Sequence, residues 1–230
     1  MSEIILYGAR ACPFVHRTRL ALLEKKVDFE WVEIDLHTPP EWFFPLSPYG
    51  KVPVLKHGQD LVWESTIINE YLDEVFPEPP LLPAKPGKRA WARFWIDFAN
   101  TQFVPWFYKL LLEQRPDKQA QRSAEFNKHL LFLENTGLGH ANAGGYWLDN
   151  QLSLVDLAFY PFFERLCVLE HYRHFTLPPA CVRVSAWWKR MSQRDTVRQL
   201  QNPAEYYIKA YLRYADGSAS GSTAQDMRNI

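Results

Sequence analysis

Cys12 is followed at once by a proline, Pro13, and then by Phe14-Val15-His16-Arg17. A cysteine thiol is a nucleophile only as its thiolate, so its placement decides whether it can react. The preceding Ile4–Tyr7 reads as a strand, and Phe14 to about Lys26 reads as a helix. Proline is favoured at the first helical position, because its missing N–H would have no partner there anyway. Cys12 is thereby expected at the helix N-cap, beside free backbone N–H groups and the positive end of the helix dipole. That setting favours an anion and predicts a reactive thiol. The second position of a Cys-x-x-Cys pair is Val15, so no internal disulfide can form and a resolving thiol must come from outside. Cys167 and Cys181 carry no such placement and read as buried small hydrophobes. His16 either pairs with the Cys12 thiolate or is a solvated surface residue. Arg17 and Arg19 read as helix-surface charges, and Tyr7, ending the first strand, as structural or catalytic.

The elements that must hold Cys12 alternate over the first 75 residues. After the first strand and helix, Phe29–Ile34 alternates apolar and polar residues as a half-buried strand does. A segment with Pro39, Pro40, Pro45 and Pro48 has room for one short helix near Glu41–Phe44. Val52–Leu55 and Leu61–Trp63 read as strands joined by a His57-Gly58-Gln59-Asp60 turn, a hairpin. Ser65 opens a helix with an apolar stripe at Ile67, Ile68, Tyr71, Leu72 and Val75. This order is that of a thioredoxin-like domain over residues 1–76. Pro53 is either an ordinary trans proline at an edge or a cis proline in a tight turn.

Residues 77–86 form a proline-rich linker. From 87 to 215 strand signals vanish, so the chain reads as α/β followed by all-α. Trp91, Phe94, Trp95 and Phe98 keep helical spacing, in a helix that continues past Pro105 with a kink. Further helices are expected at Asp117–Glu134, from Leu154 onward, at about Ala180–Gln193 and at about Pro203–Ala215, with a Gly/Asn/Ala loop at Gly137–Gly145. Ser153-Leu154-Val155-Asp156 has the form of a capping box flanked by a Leu152/Leu157 staple, and Asp156 is a folding residue. Pro161 should bend its helix. Residues 216–230, rich in Gly and Ser, read as a disordered tail.

Composition narrows the function. The 26 basic and 26 acidic side chains leave no electrostatic footprint for nucleic acid. No run of 18 apolar residues predicts a membrane span. Three cysteines give neither a disulfide framework nor a zinc pattern, and the histidines lack metal spacing; no metal is expected. The start enters a strand without a basic-plus-apolar leader, and the chain reads as cytoplasmic.

Cys12-Pro13-Phe14 with Arg17-Thr18-Arg19-Leu20, Pro40-Glu41-Trp42-Phe43-Phe44, Val52-Pro53-Val54-Leu55, Glu64-Ser65, and Tyr71-Leu72-Asp73-Glu74 with Leu81-Leu82-Pro83 together resemble the cysteine-type, omega-like class of cytosolic glutathione transferases. The resemblance implies a thioredoxin-like domain with an all-helical domain behind it, glutathione as cosubstrate, and a cis Pro53. Cys12 matches the cysteine that forms a mixed disulfide with glutathione. Phe14 matches a residue lining the glutathione site. Val52, before Pro53, matches the residue whose backbone pairs with the cysteinyl part, and Glu64 and Ser65 match the pair that holds the γ-glutamyl end. Free glutathione would be the external resolving thiol. Implied activities are glutathione-dependent thiol transfer, dehydroascorbate reduction and deglutathionylation, in a homodimer. Trp106, Tyr108 and Tyr206 are candidates for an apolar second-substrate pocket against the helical domain. Pro39 stands where the class usually has a lysine near the glycine carboxylate, with His37 two residues earlier. Two alternatives remain open: conjugation through Tyr7, and a non-enzymatic RNA polymerase-binding role, since Trp63–Glu74 with Phe76-Pro77 also resembles the stringent starvation protein A group.

Overall fold

A computed structural model describes residues 3–139, 145–148 and 151–229. The chain divides into two compact units, Met1–Leu82 and Pro83–Ile230, a division that falls inside the proline-rich segment.

The first unit is built on a four-stranded sheet in the order β2-β1-β3-β4. β1 (Ile4–Gly8) lies parallel to β2 (Glu30–Glu33), with Leu6 opposite Trp31. A parallel pair needs a crossover, and helix α1 (Pro13–Glu24) supplies it. β3 (Val54–His57) runs antiparallel to β1 and forms the expected hairpin with β4 (Asp60–Trp63). A one-turn 3-10 helix occupies Glu41–Phe43. Strand β3 begins at Val54 rather than Val52, because Pro53 cannot donate to the ladder. The Val52–Pro53 and Glu78–Pro79 peptide bonds are cis.

Gly8 sets how close the β1 end comes to α1. A Cβ there would stand 2.6 Å from a Val15 methyl, so only glycine lets the turn carrying Cys12 sit against the helix. Helix α2 (Ser65–Val75) packs against α1. The buried Lys25 side chain binds Asp73 and the carbonyls of Phe76 and Pro79, both at 2.7 Å. Asp73 in turn accepts the N–H groups of Leu81 and Leu82 at 2.8 and 3.0 Å. This clasp ties the proline-rich segment to the end of α2.

The regular elements of the second unit are all helical among its described residues, apart from one isolated bridge between Leu148 and Gln151. α3 (Pro86–Phe98) passes through a π-turn at Ala99–Phe103 into α4 (Val104–Leu112). The π-turn adds a residue just before Pro105, which is how the helical path continues past a residue with no N–H to donate. α5 (Pro116–Phe132) ends in a second π-turn at Leu133–Gly137. Of the loop expected at 137–145, residues 140–144 lie outside the described residues.

α6 (Leu154–Glu164) carries the capping box and runs through Pro161. Arg165 then leaves the helical conformation, so the helix expected from Leu154 onward stops at Glu164 and α7 (Leu166–Arg173) follows as a separate element. α8 (Val182–Ser192) and α10 (Ala204–Ala215) stand close to their expected places, with α9 (Asp195–Leu200) between them. Arg173 ties α7 to the ends of α4 and α10 by donating to the Leu110 carbonyl at 3.1 Å and to the Ala215 carbonyl at 2.6 Å.

The disordered tail expected at 216–230 requires correction. Ser222–Asn229 forms helix α11, which packs on α4, with Ala219 and Ala224 buried. Arg228 returns to the Gly217 carbonyl at 2.8 Å. Small alanines let a polar segment approach closely, and that burial outweighs its weak helix propensity.

Candidate active site

Cys12 is the N-cap of α1, in an extended conformation, with Pro13 at the first helical position. The turn before it is closed by the Cys12 N–H to the Ala9 carbonyl at 3.0 Å. The Ile34 N–H bonds the Gly8 carbonyl at 2.8 Å, which fixes the base of the turn to the end of β2. The thiol is partly exposed, and its Sγ lies 4.0 Å from the carbonyl oxygen of Val52. Sequence positions 12 and 52–53 are thus brought together: a sulfur at a helix start, and the backbone just before a cis proline. Val15, at the second position of the would-be dithiol pair, is fully buried in the core beside Gly8.

Glu64 is the N-cap of α2 and holds a φ of +66°. A non-glycine residue there is strained by about 1–3 kcal/mol. The turn it makes leaves Glu64 exposed and starts α2 at Ser65, which is 4% exposed. A helix start presents N–H groups and a positive dipole end, a natural seat for a carboxylate. Glu64→Gly should therefore raise stability by about 1 kcal/mol while weakening binding of any ligand whose ammonium meets the carboxylate. Thermal melting beside glutathione titration checks this, and a variant with lower stability and unchanged affinity would refute it.

Three residues of α1 differ from expectation. Arg17 and Arg19 were expected on the surface, but Arg17 is fully buried. Its Nη1 donates to Ser65 Oγ at 3.4 Å, and its guanidinium lies 5.2 Å from the Phe14 ring centre. Asn69, one turn further along α2, donates to the Arg17 carbonyl at 3.4 Å. Arg19 is half-buried over the Trp31 ring. His16 is not a solvated residue either; it is 3% exposed. Helix α1 packs on α2 as well as on the sheet, where Val15 joins Tyr7 and Val54, so residues that its periodicity assigns to water are covered.

Tyr7 is buried in the cluster of Val15, Ile34, Phe43, Val52 and Val54, with its ring 6.1 Å from Trp42 and 6.4 Å from Phe43. Burial, then the charge of Glu30, raises its phenol pKa above the ordinary value. The other thiols are less reactive by environment. Burial raises Cys167 and pushes Cys181 up to about 11.

The pocket candidates of the helical unit do not converge. Tyr108 is a core residue, 2% exposed, packed against Phe162, Tyr211 and Tyr214. Trp106, two positions earlier, meets Lys109, Arg122 and His129 instead. Tyr206 is half-buried and edge-on to Tyr207. Residues two apart on a helix point to different faces, so Trp106 and Tyr108 cannot share one wall. Among the described residues no three His, Cys, Asp or Glu side chains gather as metal ligands, and no helix is long and apolar enough to cross a membrane.

Residues 6–80 match the family model for the glutathione S-transferase N-terminal domain. Glutathione S-transferase U22 of Arabidopsis thaliana is 33% identical over 205 residues, covering 88% of this chain and 92% of that protein. The chain belongs to the glutathione transferase superfamily. Glutathione S-transferase omega-1 of Rattus norvegicus is 35% identical, over 73% of this chain and 69% of its own. Omega 3C glutathione transferase from Trametes versicolor superposes with a TM-score of 0.84 at 32% identity, covering 94% and 91% of the two chains. A rice glutathione transferase solved in complex with glutathione gives 0.85 at 28% identity, covering 95% and 99%. This chain is a glutathione transferase with the superfamily's thioredoxin-like and helical parts. Relatives of the U type and the omega type match it equally well, so class membership does not by itself decide the chemistry.

Proposed function

We propose that this glutathione transferase acts by thiol transfer through Cys12. The observation that carries the reading is the cysteine at the α1 N-cap, with Sγ 4.0 Å from the Val52 carbonyl and a buried valine in place of a second thiol. The Cys12 thiolate attacks the glutathione sulfur of a mixed disulfide. A bond forms between Sγ and that sulfur, the original S–S bond breaks, and the released thiolate takes a proton from water. A second glutathione, as thiolate, attacks the glutathionyl sulfur on Cys12. Oxidised glutathione leaves and the Cys12 thiolate returns. The net reaction consumes one mixed disulfide and one glutathione, and yields one thiol and one oxidised glutathione.

The same reading assigns the glutathione contacts. Val52 and cis Pro53 pair with its cysteinyl backbone, Phe14 flanks it, Ser65 takes the γ-glutamyl carboxylate, and Glu64 takes the ammonium. The complex with glutathione named for the rice relative supports this choice of cosubstrate. Dehydroascorbate reduction and removal of glutathione from conjugates use the same thiol. Tyr7, walled in by Trp42 and Phe43, serves the fold. Parallel assays of mixed-disulfide reduction and aryl-halide conjugation test the reading in the unaltered chain and in Tyr7→Phe. Reduction should dominate and survive the tyrosine change, whereas conjugation lost on Tyr7→Phe would overturn it.

A homodimer is part of the proposal. On α3, Trp91 and Phe94 stack at 5.2 Å and remain 40% and 43% exposed. Large aromatics side by side at a surface mark a contact patch. Trp91→Glu with Phe94→Glu should convert the dimer to monomer in analytical ultracentrifugation. An unchanged sedimentation coefficient would place the contact elsewhere.

A further inference from the structure

We infer that Arg17 is the positioning residue that makes the Ser65 end of the site select a carboxylate. The inference rests on the glutathione reading above and adds a residue to it. Arg17 lies wholly out of solvent and donates through Nη1 to Ser65 Oγ. A guanidinium is always charged and has no acceptor atom, so the direction of this hydrogen bond is fixed. Ser65 Oγ must accept it. The single hydroxyl hydrogen of Ser65 is then left to be donated to something else. With the guanidinium on one lone pair and its charge behind the oxygen, Ser65 presents its hydrogen to a ligand in preference to its remaining lone pair.

Three features converge on the same preference. Ser65 begins α2, whose first N–H groups are donors without helical partners. The dipole of α2 is positive at this end. The Arg17 charge lies directly behind the hydroxyl, in a setting where water screens it little. An anionic acceptor satisfies all three, and a neutral amide satisfies the hydrogen bonds but not the charge. Arg17 is itself held by the Phe14 ring face and by Asn69 on its own carbonyl. The arginine is therefore fixed from both α1 and α2.

The test compares glutathione with an analogue whose γ-glutamyl α-carboxylate is a carboxamide, titrated calorimetrically into the unaltered protein, Arg17→Met and Arg17→Lys. The unaltered protein should prefer glutathione by about tenfold to a hundredfold, the range of a charge-assisted hydrogen bond. Arg17→Met should reduce that preference to about threefold or less, and Arg17→Lys should restore part of it. In steady state, Arg17→Met should raise KM for glutathione while kcat at saturation stays within about threefold. The preference is a ratio measured on one preparation, so partial unfolding of a variant does not change it. Glutathione binding with an unchanged preference in Arg17→Met overturns this inference alone. No glutathione binding by the unaltered protein removes the reading beneath it and overturns both.

Discussion

Cys12→Ser should abolish glutathione-dependent reduction of a mixed disulfide, lowering the rate at least about a thousandfold, because the group that carries the covalent intermediate is gone. A serine hydroxyl is of similar size and sits well at an N-cap, so the helix start should survive. The turn around position 12 is held by backbone bonds and by the Gly8–Val15 contact, none of which uses the sulfur. Glutathione affinity should therefore stay near that of the unaltered chain, separating loss of chemistry from loss of binding. Conjugation of an aryl halide should persist in Cys12→Ser, since glutathione then keeps its own sulfur free. Retained reduction in this variant would show that another thiol does the work. Cys167 and Cys181 are poor substitutes, because burial raises the pKa of both thiols, that of Cys181 to about 11.

Asp156→Ala should be the most destabilising single change among those the structure explains. The carboxylate is fully buried and accepts four hydrogen bonds. They come from the Trp147 N–H at 3.1 Å, the Ser153 N–H and hydroxyl at 2.8 Å each, and Trp187 Nε1 at 2.8 Å. Alanine would leave those donors without a partner in a dry core and would open a cavity. The expected cost is about 4 kcal/mol or more, read as a fall in the urea midpoint. A loss below about 1 kcal/mol would contradict it.

Asp156 also predicts a pH dependence. Burial raises its pKa from 3.8 to about 6, against the four hydrogen bonds that hold it down. Between those two values the unfolded chain has lost the proton that the folded chain still holds. Stability should therefore fall as pH rises through that window and level off above about 6, by up to about 3 kcal/mol. Asp156→Asn should lack that slope.

The place of Cys12 was legible because a proline after a cysteine marks a helix start, a rule that depends on neighbours in sequence. The hairpin of β3 and β4 and the Ser153–Asp156 capping box were legible for the same reason. Pro53 was not, since the residues alone admit both isomers and only the family resemblance implied cis. Arg17 was misread as exposed, and of the two readings of His16 the solvated one fails. A helix covered on two sides buries polar residues that its own periodicity assigns to water, and nine of the twelve α1 residues are buried. Only the arrival of Ser65 and Asn69, 48 and 52 residues away, shows where the arginine goes. The α11 helix was hidden by its composition, because Gly and Ser announce looseness while the deciding contact is with α4. Trp106 and Tyr108 were grouped by aromatic character, although helical geometry already sends positions two apart to different faces.

The central claim is that Cys12 is a monothiol whose partner is borrowed from solution. Its most direct test is to incubate the chain with oxidised glutathione and map the adduct by mass spectrometry of its peptides. One glutathione on the Cys12 peptide, removed by added glutathione and absent from Cys12→Ser, is the expected result. An adduct confined to Cys167 or Cys181, or none at all while reduction activity persists, would contradict it.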